Sequence, residues 1–272
     1  MSYEPGSDEC SPGRTRRLAF PTDCHGVFAD PYAWELALEV IHGFQPDTII
    51  WGSDAMDFGT ISKHSKHMRL PSIQEELDDE QKRRAELKAA AAGATLWWLQ
   101  DNHTTSRYYK YLWAKAPELA EVKKLAFEEI IDFPAHRVIS EYHAGKTLRV
   151  IHGATVRKWP GWSVLDEIQQ PDNRRGRMVH SVICGHVHRF AHVALADGVE
   201  GLECGCLMNL CPNYMRDARR RTDWCHGMGL ALFGEDWSEI IPVRFFVKGD
   251  YLTCRVMGQR HQVRLGKDYS GL

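Results

Sequence analysis

Residues 182–190 read VICGHVHRF: an apolar run, a glycine, and two histidines one residue apart. An apolar run of this length that ends at a Gly turn reads as a buried strand and the loop leaving it. Alone, the two histidines suit a polar loop as well as a metal. The pattern gains meaning because it recurs. Four other apolar runs end in comparable residues, at Asp23-Cys24-His25, Asp54-Ala55-Met56-Asp57, Asn102-His103 and His152-Gly153. In open α/β sheets, ligands collect beyond the carboxyl ends of the strands, so five such ends point to one pocket.

Between these runs the spacing is helical. DPYAWELALEVIHGF (30–44) carries Trp34, Leu38 and Ile41 on one face, with Asp30-Pro31 as cap and first turn and Gly43 as a stop. SIQEELDDEQKRRAELKAAAA (72–92) is the clearest helix. Ser72 and Glu75 form a capping box there, and the charge run reads as a solvated face. The segment 106–131 reads as two helices broken at Pro117, and the last third alternates in the manner of antiparallel sheet. Helices and strands alternate early and strands dominate late, which predicts a layered α/β domain. Residues 1–16, polar and broken by Pro and Gly, read as a flexible arm, and 17–272 as a single domain.

Composition narrows the function classes. The chain has 272 residues, a hydrophobic fraction of 43% and a formal charge of −2, so nothing global points to nucleic acid or a bilayer. No run approaches a membrane span, and the first residues lack the apolar core of a signal peptide. A reducing cytoplasm with free thiols is therefore the expectation for the eight cysteines. Cys204, Cys206, Cys211 and Cys225 lack paired C-x-x-C knuckles and read as packing residues rather than a zinc site. Cys24 is expected to point away from its ligand neighbours.

The proposed donors mix imidazole, carboxylate and amide oxygen without thiolate, which suits a catalytic Mn, Fe or Zn centre. Asp23, His25, Asp54, Asn102, His152, His186 and His188 are too many for one tetrahedral ion. Two ions bridged by a carboxylate would use them all, lower the pKa of a shared water and clamp a phosphate.

The ordered set Asp-x-His, Asp-x-x-Asp, Asn-His, His-Gly and Gly-His-x-His resembles the calcineurin-like metallophosphoesterase superfamily from about Leu18 to Phe190. More narrowly, DFGTISKHSKH, DNHTTSRYYKYLWAKAPEL and GCLMNLCPNY resemble phosphoesterases encoded by phages and prophages. The resemblance implies a four-layer α/β/β/α sandwich of two mixed sheets flanked by helices. It implies a dinuclear centre of divalent ions, Mn first, with Fe, Zn and Ni also suited. Asp23, His25 and His188 would hold one ion, Asn102, His152 and His186 the other, and Asp54 would bridge them. A hydroxide between the metals would attack phosphorus. His103 would assist the leaving oxygen, Asp57 would fix nearby ligands by hydrogen bonds, and Arg107 would fork onto a phosphate. The implied reaction is phosphoester hydrolysis. A phosphodiester, nucleic acid included, is the first substrate class and a phosphomonoester the second. A metal-binding scaffold with little turnover is the third reading.

Three positions depart from the superfamily's pattern. Ser53 stands where a glycine usually precedes the bridging Asp, Asp101 where one precedes Asn-His, and Thr104 where an acid follows. Asp101 is expected to bring negative charge near an anion site. The extended backbone expected at 185–188 would send His186 and His188 to one face and Val187 to the other, with Arg189 beside the cleft. His64 and His67 read as solvated. The basic clusters Arg174, Arg175, Arg177 and Arg219, Arg220, Arg221 read first as solvated surface; flanking the cleft, they would attract a phosphate backbone, with Tyr214 and Trp224 placed to stack bases. Of Tyr108, Tyr109, Tyr111 and Trp113, at least half are expected in the core.

Overall fold

The computed structural model describes residues 6–7, 13–62, 70–170, 180–211, 223–267 and 269. Two six-stranded sheets face each other. The first is built from β2 (Arg16–Phe20), β3 (Thr48–Trp51), β4 (Thr95–Leu99), β5 (Val138–Ile139), β11 (Gly227–Phe233) and β12 (Ser238–Arg244), in the order β12-β11-β2-β3-β4-β5. Strands β2 to β5 run parallel, and β11 and β12 add antiparallel. The second contains β1 (Gly6–Ser7), β6 (Tyr142–Ala144), β7 (Leu148–Ile151), β8 (Ser181–Cys184), β9 (Phe190–Ala194) and β10 (Glu200–Cys204), in the order β1-β6-β7-β8-β10-β9. It too is mixed.

The inner faces meet through Leu18, Phe20, Ile50 and Leu99 on one side and Leu148, Val150, Ile183 and Leu202 on the other. Outside the first sheet lie α1 (Pro31–Phe44), α2 (Ile73–Ala90), α3 (Thr105–Lys115) and α4 (Phe127–Ile130), covering Ile49, Trp51, Leu96 and Trp98. Outside the second lies α5 (Trp162–Gln169), which seats Val164 and Ile168 on Val182 and Cys184. The four-layer sandwich is therefore the architecture. A three-stranded antiparallel sheet, β13 (Phe246–Lys248), β14 (Tyr251–Val256) and β15 (Gln259–Arg264), extends the first helical layer against α1. Among the described residues no helix is long and apolar enough to cross a membrane.

Local signals explain most boundaries. Asp30 accepts from the amides of Tyr32 and Ala33 at 2.9 and 3.0 Å, capping α1 as its sequence predicts. Ser72 and Glu75 complete their capping box on α2. Gly43, expected to stop α1, lies inside it; a Cβ there would come within 2.9 Å of the His261 ring, so the glycine serves close packing of β15. Within the segment read as a flexible arm, Gly6 and Ser7 pair in parallel with Tyr142 and His143, and Arg16 already belongs to β2.

The solvated-face reading of α2 needs correction. Glu76, Glu80 and Arg84 are buried. Glu80 accepts from Trp51 Nε1 at 3.1 Å, and Arg84 donates to the carbonyls of Ile131 and Asp132 at 2.8 and 2.9 Å. Residues four apart share one helical face, so the three form a polar stripe within the core contact.

Candidate metal centre

The carboxyl ends of β2, β3, β4, β7 and β8 open onto one edge of the sandwich, and the loops leaving them bring the predicted donors together. Asp23, His25, Asp54 and His188 form one group whose donor atoms all lie within 4.8 Å of one another; Asp54, His152 and His186 form a second. Asp54 belongs to both. His188 Nε2 is 3.2 Å from Asp23 Oδ1 and 3.1 Å from His25 Nε2, and His25 Nε2 is 3.7 Å from Asp54 Oδ2. Across Asp54, His152 Nε2 lies 3.6 Å from Oδ2 and 2.5 Å from Asn102 Oδ1. His186 packs edge-on to His152, ring centroids 4.9 Å apart.

The backbone bends to achieve this. Asp23, His25, Asp54, His186 and His188 all have positive φ, between 48° and 70°. For residues other than glycine such conformations cost free energy and persist where surrounding structure imposes them, typically at functional sites. The expectation of an extended Gly-His-Val-His is thus corrected. Each histidine sits at a left-handed turn, while Val187 is buried. Gly185 has a specific use: a Cβ there would lie 2.4 Å from Asp23 Oδ2 and from Thr22 Oγ1. The amide of His186 instead donates to both Asp23 oxygens, at 2.9 and 3.1 Å.

The donor set fits divalent ions. Two imidazole nitrogens 3.1 Å apart, in an enclosed site, need a cation or a proton between them. Burial disfavours the charged imidazolium: it pushes His25 down to about 4 and His152 down to about 3, leaving neutral imidazoles, each with one lone pair to offer. Asp23 is held well below the usual carboxylate range. Burial alone would raise it, but the hydrogen bond to His188 and the charges of His188, His152 and His25 prevail. Asp54 is pushed well above that range by burial and by the neighbouring Asp101 and Asp23. A buried carboxylate with that cost is stabilised by metal charge.

Hydrogen bonds orient the rings. Asp57 Oδ1 lies 3.2 Å from His25 Nδ1 and 2.7 Å from His103 Nδ1, so a proton on each Nδ1 leaves Nε2 free as acceptor or ligand. Both contacts, with the two histidine charges, hold Asp57 far below the ordinary range despite its burial. Ser53 supplies the equivalent for His152. Its Oγ is 2.7 Å from His152 Nδ1 and 2.8 Å from Thr22 Oγ1, and Thr22 Oγ1 donates to Asp23 Oδ2 at 2.5 Å. With Thr22's single proton on Asp23, Ser53 donates to Thr22 and accepts from His152 Nδ1–H. With a cation between Nε2 and Asn102 Oδ1, the chain would fix His152 with its Nε2 lone pair toward Asn102 and Asp54, and it joins the two half-sites. Ser53 is thus a positioning residue. The preceding Gly52 (φ 102°) provides the turn, because a Cβ there would meet Leu99 O at 2.8 Å.

Other predicted residues fall as follows. His103 is half-buried beside the first group, ring centroid 4.9 Å from that of His25. Its amide donates to Asp54 Oδ1 at 3.3 Å. Arg107 does face the cleft wall but is turned inward, donating to the Asp57 carbonyl and lying 3.7 Å from Asp57 Oδ1. Arg189 is buried and donates to the carbonyls of Arg157 and Lys158, so it anchors a loop instead of reaching a phosphate. Asp101 is buried and pushed up to about 7 by burial, and it accepts from the Thr104 amide. It caps the turn into α3 more than it charges the site. Thr104 Oγ1 donates to Met56 O at 3.0 Å, tying the Asn102–His103 loop to the Asp54 loop. Cys24 is buried, with Sγ on Ala55 O, away from the donors. Tyr108 and Tyr109 are core; Tyr111 and Trp113 are exposed. Trp224 packs against the His188 ring at 4.4 Å. His64, His67, Arg174, Arg175, Arg177, Tyr214, Arg219, Arg220 and Arg221 lie outside the described residues.

Glu76 is the functional residue missed from sequence. Its Oε2 accepts from the amides of Asp57 and Phe58, both at 2.7 Å, and so sets the loop carrying Asp57. The recurrence of polar residues at 76, 80 and 84, on the face shared with Leu77 and Leu87, was the available signal. Beside Asn102, His152 and His186 a cavity of about 530 Å³ opens, lined also by Gln100, Ser140 and Glu141. That volume is typical of a small-molecule site.

No family model matches the chain, and no curated protein matches it. Among solved structures it aligns with Vps29 from Entamoeba histolytica complexed with Zn²⁺, at 12% identity and TM-score 0.41, over 92% of this chain and 98% of that one. It aligns with a dimetal phosphatase from Danio rerio at 8% identity and TM-score 0.40, over 92% and 99%. With PhoD the figures are 9% identity and TM-score 0.42, over 98% and 75%.

Proposed function

We propose that the chain is a metal-dependent phosphoester hydrolase of the calcineurin-like metallophosphoesterase type, acting on phosphodiesters. The observation that carries this reading is the pair of donor groups sharing Asp54, with His103 beside them. Two divalent ions held there supply a nucleophilic water at neutral pH and neutralise charge on the phosphoryl oxygens. Asp23, His25 and His188 would hold one ion and Asn102, His152 and His186 the other. His103, as the imidazolium with its Nδ1–H on Asp57, presents Nε2–H to the leaving oxygen, delivers that proton there and is left as neutral imidazole. Mn²⁺ is the first candidate metal.

The diester preference follows from charge. Arg107 is spent on Asp57, Arg189 on backbone carbonyls, and Arg149 on Glu141 at 2.9 Å. A monoanionic diester needs less compensating positive charge than a dianionic monoester. Protein stripped of metal and reloaded with Mn²⁺ is expected to release p-nitrophenol from bis-p-nitrophenyl phosphate faster than from the monoester. Absence of metal-stimulated release from both, with two ions bound per chain, would overturn the reading in favour of a metal-binding scaffold.

A further inference from the structure

The loop that leaves the metal ligand His152 presents hydrophobic surface that the proposed chemistry does not use. Trp159 is 55% exposed and Trp162 57%, with Val156 also exposed. Exposed tryptophans grouped on one turn mark an interaction surface more often than chance. The turn is closed by Trp162 N donating to Trp159 O at 3.2 Å, so both residues sit on one short turn.

The platform is held firmly to the site. Buried Glu203 accepts from the amides of Gly161, Ser163 and Val164 at 2.9, 3.0 and 3.3 Å. Arg189, the residue after the ligand His188, holds the carbonyls of Arg157 and Lys158. Arg157 N donates to Ser163 Oγ at 3.0 Å. The loop therefore starts at one metal ligand and is tied to the neighbour of another. Arg157 is exposed but pairs with Asp166, so the cation beside the rings is Lys158, which is exposed with its Nζ 5.0 Å from the centroid of the Trp159 ring.

We propose that Trp159 and Trp162, with Lys158, form a stacking platform for a single-stranded nucleic acid whose backbone leads to the metal centre. The inference rests on the phosphodiesterase reading and deepens it. Aromatic faces beside cations on a rigid support are what unpaired bases and their phosphates require. A duplex would keep its base faces covered, so the platform selects single strands.

The test uses the full chain loaded with Mn²⁺ and a fluorescein-labelled oligothymidylate with a phosphorothioate backbone. Binding should quench tryptophan emission and weaken with salt. Trp159→Ala and Trp162→Ala should each lower affinity about tenfold, Trp→Phe at either position should retain most of it, and Lys158→Ala should reduce the salt dependence. Metal content and Tm of each variant report that it is folded. No binding, equal binding by the Ala variants, or loss with Phe equal to that with Ala would overturn the proposal. So would capture of the chain by phosphatidylglycerol vesicles without oligonucleotide binding, which would identify a membrane surface instead. Failure here alongside active hydrolysis of bis-p-nitrophenyl phosphate removes the platform alone, whereas inactivity on that small diester removes the enzymatic reading.

Discussion

The two halves of the metal centre meet solvent differently. Asp23, His25, Asp54 and His188 are all buried, and Trp224 covers His188. On the other side His152 is buried but His186 is half-buried, Asn102 is exposed, and the cavity opens beside them. One half is a closed cage and the other a doorway, with Asp54 the wall between. An enclosed half-site holds its ion by donors alone, whereas the open one leaves room for a substrate oxygen. Substrate is therefore expected to enter over Asn102 and His186.

The strongest way to break this contrast is to remove the shared wall. Asp54→Ala should lose ions from both halves and bring hydrolysis to background, as read by metal analysis and bis-p-nitrophenyl phosphate turnover. Loss of one ion alone would show that Asp54 does not bridge. His103→Ala should keep both ions and lower turnover by about 10²–10⁴-fold. An equal fall in metal content would reassign His103 from acid to loop support. Ser53→Ala sharpens the difference between the halves. It frees the His152 Nδ1 side of the ring, so affinity of the open half should fall about 10–100-fold while the closed half changes little. Calorimetric titration with Mn²⁺ would separate the two, and an open half of unchanged affinity would contradict Ser53 as the support of His152.

The fold and the donors were legible in the sequence because strand ends followed by Asp, His and Asn leave a chemical record. The four layers, the capping of α1 and α2, and the gathering of Asp23, His25, Asp54, Asn102, His152, His186 and His188 all follow from it. What escaped was tertiary. The charged face of α2 looks solvated in one dimension, yet Glu76 and Glu80 are buried because their partners are the Asp57 loop and Trp51. Arg189 and Arg107 look like phosphate ligands by proximity, but backbone carbonyls claim them first. The Gly-His-Val-His segment looks extended, yet the left-handed turns at His186 and His188 depend on Asp23 accepting the His186 amide.

The smallest expected effect concerns that buried stripe. Burial pushes Glu80 up to about 7 from an ordinary 4.5. A raised carboxyl pKa means the folded chain holds its proton more tightly than the unfolded one. The resulting stabilisation is complete below about pH 4.5 and fades as pH rises to about 7. Glu80→Gln should therefore flatten the Tm-against-pH curve over that window relative to the parent protein. Parallel curves would show that Glu80 ionises freely in the fold.

Asp54 is positioned to join two ions through one carboxylate. Electron paramagnetic resonance of the Mn²⁺-loaded protein reads that bridge. Two ions bridged through Asp54 should give the exchange-coupled spectrum of a manganese pair at two equivalents per chain, absent in Asp54→Ala. A spectrum of isolated Mn²⁺ at full loading, or saturation at one equivalent, would contradict it.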